Sequence, residues 1–232
     1  MYQKLRNLLT TKRARMENRI RIAVDGPAGA GKSTIAKEVA KELNIDYIDT
    51  GAMYRAIAVK LIRTGTDYND AEALAKMLEA TDVDFSAGKT YLDGEDISGI
   101  IRTPEVSALA SPSSAIPAIR YKLTDLQQAM GERKSVIMDG RDIGTVVFPD
   151  AEFKFYLVAD PDIRAKRRTI ELQEKGEAAD FETVKADMMQ RDLQDSTRSF
   201  RPLKKADDAI EIDTSNMSIE EVTKSLLDVI RK

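Results

Sequence analysis

Gly26-Pro27-Ala28-Gly29-Ala30-Gly31-Lys32-Ser33 carries the spacing G-x-x-x-x-G-K-[ST], that of a phosphate-binding Walker A loop. Glycines at these positions let the backbone curl so that several N–H groups point at one anion. Lys32 is placed to reach the β- and γ-phosphates of a nucleoside triphosphate, and the Ser33 hydroxyl to ligate Mg²⁺. The loop also opens a helix, whose first N–H groups and dipole favour negative charge, so Thr34 joins the expected ATP-binding set. An ordinary glycine-rich turn is the plain alternative.

A second set of charges follows later strands. Asp49-Thr50-Gly51-Ala52-Met53-Tyr54-Arg55 and Asp139-Gly140-Arg141-Asp142 both come directly after short stretches that read as strands. In open α/β sheets ligands sit beyond the carboxyl ends of the strands. Arg55, Arg141 and the glycine loop are therefore expected to face one crevice. Asp139 stands where a Walker B-type acid would hold Mg²⁺, directly or through water. Taken singly, each of these charges could be a solvated loop residue.

Two arginine-bearing helices come next. Arg164, Arg167 and Arg168 fall at i, i+3 and i+4, and Arg191, Asp195 and Arg198 at i, i+4 and i+7, so each set shares a helix face. The stretch between them, Gln173 to Asp180, is polar and contains Gly176. This pattern reads as a helical lid whose closure would exclude water and bring guanidinium groups to a transferring phosphoryl group. The competing reading is a helix pair laced by ion pairs, since Glu171, Glu174, Asp187 and Asp192 lie close in sequence.

Composition restricts the chemistry further. The 232 residues contain no Cys and no His, which removes thiolate nucleophiles, disulfides, Cys-based zinc sites and imidazole bases. Carboxylate, ammonium, guanidinium and hydroxyl groups remain, and phosphoryl transfer suits them because it depends on positioning and charge neutralisation. With 42% apolar residues the chain can bury a sizeable core, and a net charge of −3 gives no reason to expect bulk nucleic-acid or membrane binding. A cytoplasmic location fits the absence of Cys. Residues 1–18 stand apart: Lys4, Arg6, Lys12, Arg13 and Arg15 occur there with no acid before Glu17. A targeting segment, an upstream translation start before Met16 and a regulatory arm all fit this stretch; the upstream start is favoured, with weak order expected.

These residues need a scaffold, and the apolar pattern supplies one. Strands are expected at Ile20 to Asp25, Ile45 to Ile48, Ser135 to Asp139, Phe153 to Val158 and Ala209 to Ile212. Helices are expected at Thr34 to Leu43, Ala52 to Thr64, Asp70 to Glu79, Pro104 to Leu109, Ile116 to Met130, Pro161 to Glu174, Phe181 to Leu193 and Ser218 to Arg231. The last carries a capping box, Ser218-x-x-Glu221. Alternating strands and helices argue for an α/β core with a parallel sheet. Between Asp82 and Ile101 short alternating stretches, punctuated by Gly88 and Asp93-Gly94, predict a small antiparallel meander inserted into that core.

The sequence resembles the cytidylate kinase family over Arg19 to Lys232. The likeness rests on Asp25 to Ser33, Asp49 to Arg55, the run Asp139-Gly140-Arg141-Asp142-Ile143-Gly144-Thr145-Val146-Val147-Phe148-Pro149, Leu172 to Gly176, and Arg191-Asp192-x-x-Asp195 with Arg198. The resemblance implies a P-loop NTPase of the nucleoside monophosphate kinase fold: a five-stranded parallel sheet flanked by helices, a small α+β monophosphate-binding insertion near residues 66–131, and a helical lid near 164–198. It implies ATP and CMP or dCMP as substrates, Mg²⁺ as cofactor, no nucleic-acid or membrane partner, and a monomer. It puts Arg55, Arg141 and Arg198 on the phosphate of CMP, with Thr50 nearby. It puts Ser111, Arg120 and Asp142 on the cytosine, and Arg191 and Asp195 on the sugar hydroxyls. Lys32, Arg167, Arg168 and Arg198 would act on the transferring group, with Ser33 and Asp139 holding the metal.

Such a set suits cytosine, whose amino group donates to a carboxylate while N3 and O2 accept from Arg120 and Ser111. Uracil would turn a carbonyl toward Asp142, and buried unpaired groups cost about 1–3 kcal/mol each. Kinases of the same fold acting on AMP, UMP or shikimate are the nearest alternatives. A GTPase-type switch would need an [NT]-K-x-D motif, which the chain lacks; Asp96-Ile97-Ser98-Gly99 fits D-x-x-G but reads as a turn in the insertion.

Overall fold

A computed structural model describes residues 19–86 and 88–232. The basic stretch 1–18 lies outside the described residues, and with it the expectation of weak order there. The central strand β1, Arg21–Asp25, is buried from its second residue onward, because parallel strands covered by helices on both faces need apolar side chains on both. It is followed by α1 (Lys32–Leu43), β2 (Asp46–Asp49), α2 (Thr50–Thr64) and α3 (Ala71–Glu79). The insertion then contributes β3 (Val83–Ser86), β4 (Lys89–Leu92), β5 (Glu95–Asp96), α4 (Pro104–Ser113) and α5 (Pro117–Arg133). The core resumes with β6 (Val136–Gly140), a π-helical turn (Ile143–Val147) and β7 (Phe153–Val158). Helices α6 (Pro161–Glu174) and α7 (Phe181–Thr197), strand β8 (Ile210–Asp213) and helix α8 (Ile219–Ile230) complete the chain.

The five core strands run parallel in the order β2-β6-β1-β7-β8, and β3-β4-β5 form a separate antiparallel sheet, as the sequence pattern predicts. Alternation along β1 splits the core. Ile22 and Val24 face Ile35, Val39, Phe155, Leu157 and Leu226, while Ala23 faces Ile48, Met53, Ile57 and Met138. The second cluster continues through Leu74 of α3, Phe85 of β3, Leu92 of β4 and Ile119 of α5, so the meander shares apolar packing with the core.

Helix starts obey local chemistry. Asp49 caps α2 through Ala52 N at 2.9 Å, Asp70 caps α3, Thr103 caps α4, and Ser218 and Glu221 form the expected capping box. Two helices outrun their sequence pattern. Helix α4 continues through Pro112 to Ser113 instead of stopping at Leu109, and α7 runs to Thr197 instead of Leu193. In both, the extra turn lies past the last strongly apolar position, where periodicity gives no signal.

Candidate active site

Register sets the site. Asp49 pairs with Asp139, and Asp139 with Val24, so the carboxyl ends of β2, β6 and β1 lie side by side where the glycine loop begins. Gly26 leaves β1 at φ 145°, and a Cβ there would stand 2.1 Å from the Leu157 carbonyl oxygen. Only glycine fits that exit. Lys32 starts α1, is 6% exposed, and donates to the Pro27 carbonyl at 2.6 Å, folding back across its own loop. Burial, then the neighbouring Arg141, push its ammonium down to about 7.

Ser33 Oγ donates to Asp139 Oδ2 at 2.7 Å, which joins the two residues expected at a metal. They fit magnesium: two hard oxygen donors meet at the mouth of a phosphate loop. No group of three or more acids that could hold a metal ion occurs among the described residues, so water and phosphate oxygens would complete the shell, as Mg²⁺ prefers. Burial, then Asp49, raises the Asp139 carboxyl above its usual range. Tyr47, unmarked by any motif, donates to Asp139 Oδ1 at 2.8 Å. Burial and the Asp139 and Asp49 carboxylates push that phenol up, so it remains a donor. The only signal for it in the sequence is its place two residues before Asp49 on β2, which puts the two side chains on one strand face.

A cationic group lies beyond the loop. Arg141 Nε donates to Asp195 Oδ2 at 2.7 Å, and Arg198 approaches Asp195 Oδ1 at 3.3 Å. Arg55 has its guanidinium lowered by burial and by Arg102, Arg168 and Arg141 around it. Arg191 is exposed at the surface, and its guanidinium is lowered by the protein packed about it and then by Arg141. Lys32 also feels Arg141 and Arg191, so the glycine loop and this cluster adjoin. Asp195 holds Arg141 up, whereas Arg55 and Arg191 are lowered by burial and by the cations around them, a cost that a bound anion relieves.

Asp142 and Arg120 form a buried pair at 2.6 Å, with Arg120 2% exposed and its guanidinium 5.4 Å above the Tyr54 ring. Arg120 Nε and Arg198 Nη2 are buried without a protein partner. Ser111 lies on α4 beside this pair's elements, its hydroxyl 3.4 Å from Gln194 Oε1 on α7. Thr50 differs from expectation in one respect. Its hydroxyl donates to the Asp139 carbonyl at 2.6 Å, and that bond uses its single proton.

Helices α6 and α7 lie on the glycine loop. Asp192 accepts from Ala28 N at 2.9 Å and pairs with Arg164, which also donates to Ala28 O at 2.8 Å. A Cβ on Gly29 would stand 2.5 Å from Met188 Cε. Arg167 is held elsewhere, by Thr214 Oγ1 at 3.1 Å and Thr214 O at 2.6 Å, and Thr214 in turn donates to Ala30 O at 3.3 Å. Arg168 pairs with Glu171 at 2.8 Å. The helix pair is laced by ion pairs, and it contacts the phosphate loop. Arg102, which pairs with Asp49 at 2.9 Å from the loop before α4, has no periodic or motif signal.

A sequence model described as cytidylate kinase matches residues 22–232. The chain belongs to the cytidylate kinase family. It is 51% identical over 209 residues to a cytidylate kinase from Clostridioides difficile (strain 630), covering 90% of this chain and 97% of that protein. It is 49% identical over 218 residues to one from Caldicellulosiruptor saccharolyticus, covering 92% and 96%. A crystal structure of an uncharacterized protein from Eubacterium ventriosum ATCC 27560 shares the fold, with TM-score 0.51 at 16% identity over 92% of this chain and 99% of that one.

One acid of the family run serves the scaffold. Asp25 accepts from Ile143 N at 2.9 Å and Gly144 N at 2.7 Å, tying the end of β1 to the π-helical turn. Burial raises its carboxyl to about 6. A carboxyl raised in the fold binds its proton more tightly folded than unfolded, so its contribution falls as pH rises from about 4 through about 6. The stability difference between the natural protein and Asp25→Asn is expected to move toward the variant by about 2–3 kcal/mol between about pH 4 and pH 7.5. Urea unfolding at the two pH values measures it, and a constant difference would refute the assignment.

Proposed function

We propose that this protein transfers the γ-phosphoryl group of ATP to CMP or dCMP, giving ADP and CDP or dCDP. The observation that carries this reading is the pairing of two anion sites: the glycine loop with buried Lys32, and the adjoining cationic group, in which Arg141 helps lower both Arg55 and Arg191 while Asp195 holds Arg141 itself up. The names of the relatives supply the substrate.

In the proposed reaction a phosphate oxygen of CMP attacks the γ-phosphorus in line. The new O–P bond forms as the bond to the β–γ bridging oxygen breaks, and ADP leaves with that electron pair. The attacking phosphate is already ionised, so no general base is required, consistent with a chain lacking His. Lys32 and the lid arginines Arg167, Arg168 and Arg198 are assigned to the developing charge, with residues 26–34 around ATP. Arg167 and Arg168 must exchange the partners described above to take that role. Arg55, Arg141, Arg198 and Thr50 are assigned to the CMP phosphate; Thr50 would have to turn its hydroxyl from the Asp139 carbonyl. Ser111, Arg120 and Asp142 are assigned to cytosine, and Arg191 and Asp195 to the sugar. Ser33 and Asp139 would hold Mg²⁺, which supplies neutralisation of the β- and γ-phosphate oxygens when bound.

The insertion near 66–131 and the lid near 164–198 are proposed as the parts that close over CMP and ATP. No helix among the described residues is long and apolar enough to cross a membrane. A cytoplasmic monomer acting on free nucleotides is part of the same proposal.

The test offers CMP, dCMP, UMP and AMP with Mg-ATP and follows ADP release. CMP and dCMP are expected to be used at least tenfold better than UMP, since the mismatched base leaves a buried pair of acceptors. Strong turnover of AMP with none of CMP would overturn the assignment.

A further inference from the structure

The Asp139 carboxylate is held from two sides, and only one of the two holders has a role above. Ser33 takes Oδ2, and Tyr47 takes Oδ1 at 2.8 Å. A carboxylate turns readily about its last torsion, because that torsion is broad and nearly two-fold. A donor fixed on Oδ1 removes that freedom and leaves Oδ2 as the oxygen facing the glycine loop. The ring that carries this donor is itself fixed. Phe85 of β3 meets it edge-on at 6.2 Å and 84°, and the Lys37 ammonium lies 5.5 Å above its centre. A phenylalanine would fill the same space and keep both ring contacts. The hydroxyl is the only part of Tyr47 that packing does not explain.

We infer that Tyr47 is a positioning residue for the metal–nucleotide site, orienting Asp139 through Oδ1 so that Oδ2 is presented with Ser33 to the magnesium ion that accompanies ATP. The inference rests on the proposed role of Ser33 and Asp139. It also brings the insertion into contact with the metal site, since Phe85 is part of the insertion's sheet and touches the residue that orients the acid.

The test is Tyr47→Phe, with Mn²⁺ affinity measured by electron paramagnetic resonance in the presence of a non-hydrolysable ATP analogue. Loss of a hydrogen bond that orients a metal ligand is expected to weaken Mn²⁺ binding about tenfold. The affinity for the same analogue in EDTA should stay within about twofold of the natural protein, because no phosphate contact is removed. Mn²⁺ affinity within twofold of the natural value would overturn the inference, as would an equal loss of metal-free nucleotide binding. A second measurement avoids dependence on the variant's folding. 3-Fluorotyrosine placed at position 47 should shift its ¹⁹F resonance when Mg²⁺ is added to the analogue-bound protein, and an unmoved resonance would equally overturn the inference. Neither readout uses CMP, so a protein that failed to phosphorylate CMP would refute the kinase assignment and leave the Tyr47 result standing.

Discussion

Lys32→Met is expected to lower kcat for CMP phosphorylation about a thousandfold while leaving thermal stability unchanged or slightly raised. The two halves of this result have one cause. Lys32 is buried, faces Arg141 and Arg191, and has its ammonium pushed down to about 7. In the free protein that charge is costly, and the Pro27 carbonyl only partly satisfies it. Methionine has a similar shape and no charge, so folding loses little when a poorly compensated buried ion is removed. In the reaction the same ammonium would meet the charge spread over the transferring phosphoryl group. Electrostatic groups aimed at such charge contribute factors of about 10²–10³ or more each, and a thousandfold corresponds to about 4 kcal/mol of barrier. ADP release and a melting curve on one preparation check both halves. A variant with near-natural kcat would remove Lys32 from the mechanism. A variant that lost activity only because it unfolded would show Lys32 to be structural.

Much of this arrangement was legible in the sequence because it depends on short-range chemistry. The glycine loop, the strand before it and the helix after it are adjacent in the chain. The capping box at Ser218 and the turns at Gly88 and Asp93-Gly94 are equally local. The parallel sheet followed from alternating elements, although the order β2-β6-β1-β7-β8 could be drawn only from register. Meetings between distant residues were hidden. Tyr47 reaches Asp139 across 92 positions, and Asp192 reaches Ala28 across 164. No spacing rule links such pairs; a tyrosine on a strand reads as ordinary core until its hydroxyl is seen to find an acid. Arginine roles were the least legible. Helical spacing put Arg164, Arg167 and Arg168 on one face, yet each finds a different partner: Asp192, Thr214 and Glu171. Periodicity fixes the face of a helix and leaves the neighbour to the fold.

Asp142→Asn should separate recognition of the base from binding of ATP. In the structure Asp142 is the acid partner of Arg120, and both are almost fully buried, with 5% and 2% exposure. The proposed cytosine site asks the same carboxylate to accept from the exocyclic amine. Asparagine keeps the shape and one acceptor, but its amide nitrogen is a donor, which can serve the carbonyl that uracil carries at that place. The ratio of kcat/KM for CMP to that for UMP is therefore expected to fall about 100-fold, chiefly through loss of CMP, with ATP affinity within about twofold of the natural value. Stability should fall as well, by about 3–5 kcal/mol at most, because the charge of Arg120 is left buried without its counter-ion. That loss makes the ratio the decisive quantity, since unfolding lowers both substrates equally and cancels from it. An unchanged CMP-to-UMP ratio, or equal losses for CMP and ATP, would make Asp142 a structural partner of Arg120 and return the base specificity to residues elsewhere in the cleft.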